Sequence, residues 1–152
     1  MADRRATVIW EGSLTEGRGT ISSGSGALKD LPATWASRVE QSDAKTSPEE
    51  LLAAAEAERY AMVLSNLLGQ QGKTAERLEV TAVCTVERQD GGLKITSMKV
   101  EAKGRVPGLD QETFSRISQE GEKNCPVSNA LRGNVQISVQ AELETSASVS
   151  RW

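Results

Sequence analysis

The stretch Thr46-Ser47-Pro48-Glu49-Glu50-Leu51-Leu52, running on through alanine-rich sequence to Leu64-Ser65-Asn66-Leu67-Leu68, decides how the rest of the chain must be arranged. Ser47 is placed to accept from the free amides of a first helical turn, Pro48 suits the first helical position, and Glu50 completes a capping box. From there Leu51, Leu52, Ala54, Ala55, Ala61, Met62, Val63, Leu64, Leu67 and Leu68 recur on more than one face, which predicts a helix buried nearly all round. About 22 helical residues reach roughly 33 Å, the breadth of a small domain. Glu56, Glu58 and Arg59 fall in the central turns, where charge is costly unless paired, so a site is sought there.

Upstream, Ala6 to Trp10 alternates as a strand and Thr20 to Ser22 returns as a second, with Gly12, Gly17 and Ser23-Gly24-Ser25-Gly26 marking turns. Leu31 to Glu40 reads as a third strand, with Trp35 and Val39 on one side and Arg38 on the other. Downstream, Gly69 and Gly72 stop the helix, and Leu78 to Glu87 alternates without a slip. Gln89-Asp90-Gly91-Gly92 is a hairpin turn answered by Leu93 to Val106; pattern alone leaves open which face of that hairpin is inward. Asp110 caps a helix from Gln111 to about Lys123 whose narrow stripe of Phe114, Ile117 and Gly121 predicts an outer position. Cys125 to Leu131 is a short helix with Pro126 in its first turn, Val135 to Leu143 is the last strand, and the tail to Trp152 is expected to be loose. The predicted class is α+β, a single domain over residues 1–152, with a six-stranded antiparallel sheet packed on the long central helix. One sheet leaves that helix under-covered on one side, so a homodimer with its cleft at the subunit boundary is expected.

At 152 residues the chain can bury a core without staples. A net charge of −3 gives no electrostatic case for nucleic acid, and no basic run is present to hold a membrane. No apolar run approaches a bilayer span, and Met1-Ala2-Asp3-Arg4-Arg5 leads into a strand-like segment instead of a signal-peptide core, so a cytoplasmic protein is expected. The chain has no histidine, which excludes Ser-His-Asp and Cys-His catalysis and histidine-ligated zinc or iron. No cofactor is implied and no metal is expected: capping and pairing account for Glu49, Glu50 and Glu56, Glu58 lies on another face, and two arginines stand nearby. Lys99, Lys103 and Arg105 read as a solvated strand end, and the glycine and serine run lacks the lysine and the strand-to-helix setting of a phosphate loop. Of the two cysteines, Cys84 sits mid-strand on an apolar face and reads as an inert buried thiol, with no disulfide to Cys125 expected.

The segments Trp10-Glu11-Gly12, Gly17-Arg18-Gly19-Thr20, Arg38-Val39-Glu40, Ser47-Pro48-Glu49-Glu50-Leu51, Val106-Pro107-Gly108-Leu109 and Asn124-Cys125-Pro126-Val127-Ser128-Asn129-Ala130-Leu131 stand in an order and spacing that resemble the OsmC/Ohr family, the osmotically inducible and organic hydroperoxide resistance proteins. The resemblance spans Trp10 to Leu143 and is greatest to the OsmC branch. It implies an intertwined homodimer of thiol peroxidases with two sites at the interface. A first cysteine in the core helix would attack the peroxide, and a second, in Cys-Pro-Val-Ser, would resolve the sulfenic acid as a disulfide before a dithiol reductant restores both. By this resemblance Cys125 matches the second cysteine, Arg38 the arginine and Glu49 the glutamate that hold the thiolate. The first cysteine has no match: its position holds Arg59, and a family histidine three residues earlier is Glu56.

A guanidinium has no available lone pair and is always protonated, so the two-cysteine cycle has no attacking atom. Since the family's two sulfurs must meet, Arg59 is expected to project toward Cys125 and activate it, together with the start of the short helix. The bland alternative is that Arg59 simply pairs with Glu49 or Glu56. Two readings follow. One is a one-cysteine hydroperoxide reductase or redox sensor acting through Cys125, with Arg38 and Arg59 orienting peroxide oxygens. The other is a protein impaired as a peroxidase that uses Arg38, Glu49, Glu56 and Arg59 to hold a small anionic or amphiphilic ligand.

Overall fold

The computed structural model of the protein describes residues 1–144. The expectation for the tail to Trp152 lies outside them. The chain divides into two compact units, Met1–Leu51 and Leu52 onward.

The first unit is an antiparallel sheet in the order β1-β2-β3, made of β1 (Ala6–Glu11), β2 (Arg18–Ser23) and β3 (Leu31–Ala33). Ala6 pairs with Ser23 and Glu11 with Arg18, and the turn between them closes on Gly17, where a Cβ would lie 2.3 Å from the Ser13 carbonyl oxygen. β1 is exposed on both faces, with Val8, Ile9 and Trp10 all open.

The long third strand expected from Leu31 to Glu40 does not form. β3 stops at Ala33, and α1 (Trp35–Val39) follows. Thr34 is the reason. Its hydroxyl accepts from the Ser37 amide at 3.1 Å, and the Ser37 hydroxyl accepts from the Thr34 amide at 3.0 Å, so two orphan amides of a helix start are satisfied reciprocally. The four-residue spacing of Trp35 and Val39 suits one helical face as well as one side of a strand, and Arg38 stands in the last turn of a helix.

α2 (Pro48–Gln70) begins in this unit and continues through the second. Its start falls at Pro48 as expected, with the Glu50 amide donating to the Ser47 hydroxyl at 3.2 Å, but among the described residues the Glu50 side chain makes no return bond to complete the expected capping box. The prediction of a helix buried nearly all round is corrected: α2 buries Glu49, Glu56, Tyr60, Val63, Leu64 and Leu68 along one side and leaves Ala54, Ala55, Glu58, Arg59 and Met62 exposed. Alanines at 54 and 55 fit either setting, which is why pattern alone overstated the buried face.

In the second unit β4 (Arg77–Gln89), β5 (Gly92–Arg105) and β6 (Gln136–Leu143) form a sheet in the order β4-β5-β6. β4 and β5 are an antiparallel hairpin whose turn places Asp90 at φ 48° and Gly91 at φ 79°, the left-handed pair that a two-residue hairpin requires. A bulge at Thr85/Val86 opposite β5 shifts the register, so Ile95 pairs with Val86 and Met98 with Cys84. The extra residue puts Leu93 and Ile95 on the same side as Met98 and Val100, and it removes the ambiguity that strict alternation left in β5. β6 is parallel to β5, the crossover being carried by α3 (Gln111–Asn124) and α4 (Pro126–Leu131). The described residues therefore form two three-stranded sheets, one of them mixed, in place of the six-stranded antiparallel sheet expected. Alternation identifies a strand but not its partner.

The core of this unit packs Tyr60, Leu64 and Leu68 of α2 with Met98, Val100 and Ala102 of β5 and with Phe114 and Ile117 of α3. Each leucine, isoleucine, valine, methionine or phenylalanine among them contributes about 1.5–3 kcal/mol when fully buried. Gly104 is required here, because a Cβ would lie 2.6 Å from Phe114 Cζ. The free edge of β6 is covered by amide side chains from α3. Gln111 donates to Ala141 O at 2.9 Å and accepts from the Leu143 amide at 2.8 Å, and Gln119 donates to Val139 O at 2.9 Å. Among the described residues no helix is long and apolar enough to cross a membrane.

Candidate functional site

In the first unit, α1 carries Arg38 in its last turn and α2 carries Glu49 in its first, and the two side chains meet. Arg38 Nε donates to Glu49 Oε1 at 3.0 Å, and Nη2 reaches the same oxygen at 2.9 Å. Glu49 is 5% exposed and its Oε2 is buried with no partner among the described residues, while a third of the Arg38 side chain stays in solvent.

In the second unit, Glu56 and Tyr60 lie one turn apart on the buried side of α2, each with no exposure. Ser128 of α4, also wholly buried, donates a hydrogen bond to Glu56 Oε1, and Glu56 Oε2 has no partner among the described residues. Tyr60 donates to Ser118 O at 2.8 Å, and its ring lies 3.3 Å from where a Cβ on Gly121 would stand. Burial pushes the Tyr60 hydroxyl up to about 12; the Ser118 side chain works the other way, and the neighbouring acidic groups Cys125, Glu122 and Glu56 add to the rise.

Cys125 closes the site. It is wholly buried and sits between two helices, capping the end of α3 through its amide and the start of α4, where its carbonyl accepts from Asn129 at 2.9 Å. Beside it Arg132 holds the end of α3: Nη2 lies 2.7 Å from Glu122 Oε1, within ion-pair reach though not aligned for a hydrogen bond, and donates to Glu122 O at 3.2 Å.

Arg59 is not part of this buried set, which corrects the expectation that it projects toward Cys125. It is exposed, with Nη1 3.9 Å from Met62 Sδ, and among the described residues it makes no ion pair. With Met62, Asn66, Leu67, Glu120 and Asn124 it lines a groove of about 500 Å³ between α2 and α3. The alternative that Arg59 pairs with Glu49 or Glu56 is thereby corrected, since Glu49 is held by Arg38 and Glu56 by Ser128. Glu58 is exposed, and Cys84 lies half-buried in β4 opposite Met98. Among the described residues no cluster of three or more acidic or cysteine side chains could hold a metal ion.

Sequence reasoning quoted Ser128 in its motif without giving it a partner and passed over Tyr60 and Ser118. The available signal was Glu56 and Tyr60 four apart on an otherwise apolar face, which requires a donor for the one and an acceptor for the other.

Residues 41–140 match a family model described as OsmC-like protein. The chain is 37% identical over 137 residues to Peroxiredoxin OsmC of Escherichia coli, covering 90% of this chain and 95% of that one. It is 27% identical over 124 residues to the organic hydroperoxide resistance protein OhrB of Bacillus subtilis, covering 80% and 88%. The crystal structure of OhrB superposes with a TM-score of 0.70, covering 92% of this chain and 98% of that one.

Proposed function

Because the chain belongs to the OsmC-like family, whose relatives include a peroxiredoxin and organic hydroperoxide resistance proteins, we propose that it is a member of that hydroperoxide-defence lineage which no longer runs a two-cysteine cycle. Arg59 occupies the position of the first cysteine, and the protein binds a small amphiphilic anion in the groove that Arg59 lines. The observation that carries this reading is the state of Arg59: an exposed guanidinium with no ion pair among the described residues, beside the apolar surface of Met62 and Leu67. Such a cation recognises a carboxylate or a comparable anion, and the apolar neighbours receive a hydrocarbon body. Arg38 and Glu49 are engaged with one another and Glu56 with Ser128, which leaves Arg59 to contact the ligand. Cys125, wholly buried, is not poised to meet a peroxide as the protein stands.

The same reading takes a second copy of the chain as its partner, in the cytoplasm. Support for a partner comes from the open apolar residues Val8, Ile9 and Trp10 on β1 and from Met62, 55% exposed, on α2. The test is calorimetric titration with dodecanoate. Binding that weakens at least about tenfold in Arg59→Ala, with the folding midpoint unchanged, is the expected result. Equal affinity in the two proteins overturns the assignment.

A further inference from the structure

Cys125 is the thiol that the family resemblance leaves in place, and it stands at the start of a helix held down by a polar contact. α4 has 6 residues, and its one wholly buried side chain is Ser128. Val127 and Leu131, its apolar contacts with the core, are only half-buried. A helix docked over so little apolar surface belongs to the low-stability end of a structure, where local opening is cheaper than global unfolding.

The bond from Ser128 to Glu56 changes that balance. It joins α4 to the buried side of α2 and satisfies a carboxyl group whose other oxygen has no partner. With Ser128 withdrawn, a group of no exposure would be left with neither oxygen bonded, so the contact resists opening more than a surface hydrogen bond does. The N-terminal end of α4 can hinge directly, and the C-terminal end can hinge once Arg132 leaves Glu122, the half-exposed contact that ties it to α3. Cys125 breaks the helical run between α3 and α4, and beyond α4 Gly133 sits at φ +91° with nothing within 4 Å of a Cβ there.

We propose that the Ser128–Glu56 hydrogen bond is a latch on Cys125. While it holds, α4 lies on α2 and the thiol is closed to solvent; when it releases, α4 lifts as a unit and the thiol becomes reachable by a soft electrophile. Ser128 and Glu56 are positioning residues in this device. The latch is independent of ligand binding at Arg59, and either assignment can fail without the other.

The experiment follows alkylation of the Cys125 peptide by N-ethylmaleimide with mass spectrometry, below the melting transition of every variant. Ser128→Ala is expected to react at least about tenfold faster than the parent. Leu68→Ala, which weakens the same core without touching α4, is expected to leave the rate near that of the parent. A parental rate in Ser128→Ala overturns the latch, and so does an equal acceleration in Leu68→Ala. Hydrogen exchange on the unaltered protein provides a second readout if Ser128→Ala does not fold. The amides of Asn129 and Arg132, which bond to Cys125 O and Ser128 O, are expected to exchange faster than those of Leu64 and Leu68. Exchange of all four at one global rate overturns the proposal.

Discussion

Glu49 and Glu56 stand about two turns apart on α2 and are both buried, yet the first is held by a guanidinium and the second by a hydroxyl. Each uses Oε1 and leaves Oε2 without a partner. The difference follows from depth. Arg38 keeps a third of its side chain in water while it reaches Glu49, so the cation is only partly desolvated. Glu56 has no exposure, and a cation brought to it would lose its hydration entirely, whereas Ser128 offers a neutral donor at a far smaller desolvation cost. What separates the two regions is therefore where a positive charge can sit: with a carboxylate at the start of α2, and exposed on Arg59 further along.

The largest effect is expected where the partner is neutral and the burial complete. Ser128→Ala leaves both oxygens of Glu56 without a donor and should lower unfolding stability by about 2–4 kcal/mol, measured by urea denaturation. A loss below about 0.5 kcal/mol would mean that Glu56 is satisfied in some other way.

Next in size is the alkaline limit of the same buried set. The Tyr60 proton is held up to about 12 in the folded protein, against an ordinary value of 10.0. Between those values the folded state binds more protons than the unfolded state, so stability is fully present below pH 10 and declines as pH rises through 12, by about 2–3 kcal/mol in all. Tyr60 is the chain's one tyrosine, so phenolate absorbance reads it alone. A folded-state midpoint near 10 would contradict the burial argument, and Tyr60→Phe should remove this part of the alkaline loss.

Smaller again is the charged pair. Arg38→Ala should cost about 1–2 kcal/mol, less than Ser128→Ala, because partial exposure lets solvent screen the interaction. Its cost should shrink as salt is added, whereas the effect of Ser128→Ala should be insensitive to salt. Equal salt dependence in the two variants would erase the distinction drawn between them. Smallest of all is Arg59→Ala, expected to change stability by no more than about 0.5 kcal/mol, since Arg59 is exposed and has no ion pair among the described residues. A larger loss would make Arg59 a structural residue and remove the ground for giving it a ligand.

Much of this was legible from residues alone. The start of α2 could be read from Ser47, Pro48 and Glu50, and the paired alternation of β4 and β5 from apolar periodicity. The family resemblance singled out Arg38 and Glu49 as thiolate-holding residues, and the structure pairs them with one another. The rest was hidden for identifiable reasons. Thr34 and Ser37 cap a helix where Trp35 and Val39 fitted a strand equally well. The bulge at Thr85/Val86 moves a strand's pattern by one residue, and nothing in composition announces it. The parallel pairing of β5 and β6 depends on the crossover through α3 and α4, a property of topology and not of local pattern. Glu56 was expected beside Arg59 because the two are three apart, but on this helix one faces the core and the other solvent. Ser128 became a partner for Glu56 only when α4 was placed against α2.

Arg59→Cys supplies the atom that the family reaction lacks and should confer hydroperoxide turnover if Cys125 can still resolve it. The most direct measurement uses the unaltered protein, mixed with cumene hydroperoxide and a dithiol reductant while peroxide loss and the mass of the Cys125 peptide are followed together. Peroxide should disappear no faster than in buffer with reductant alone, and the peptide should keep its thiol mass. Sustained consumption accompanied by a sulfenic or sulfinic adduct at Cys125 would contradict the account and make this chain a one-cysteine peroxidase.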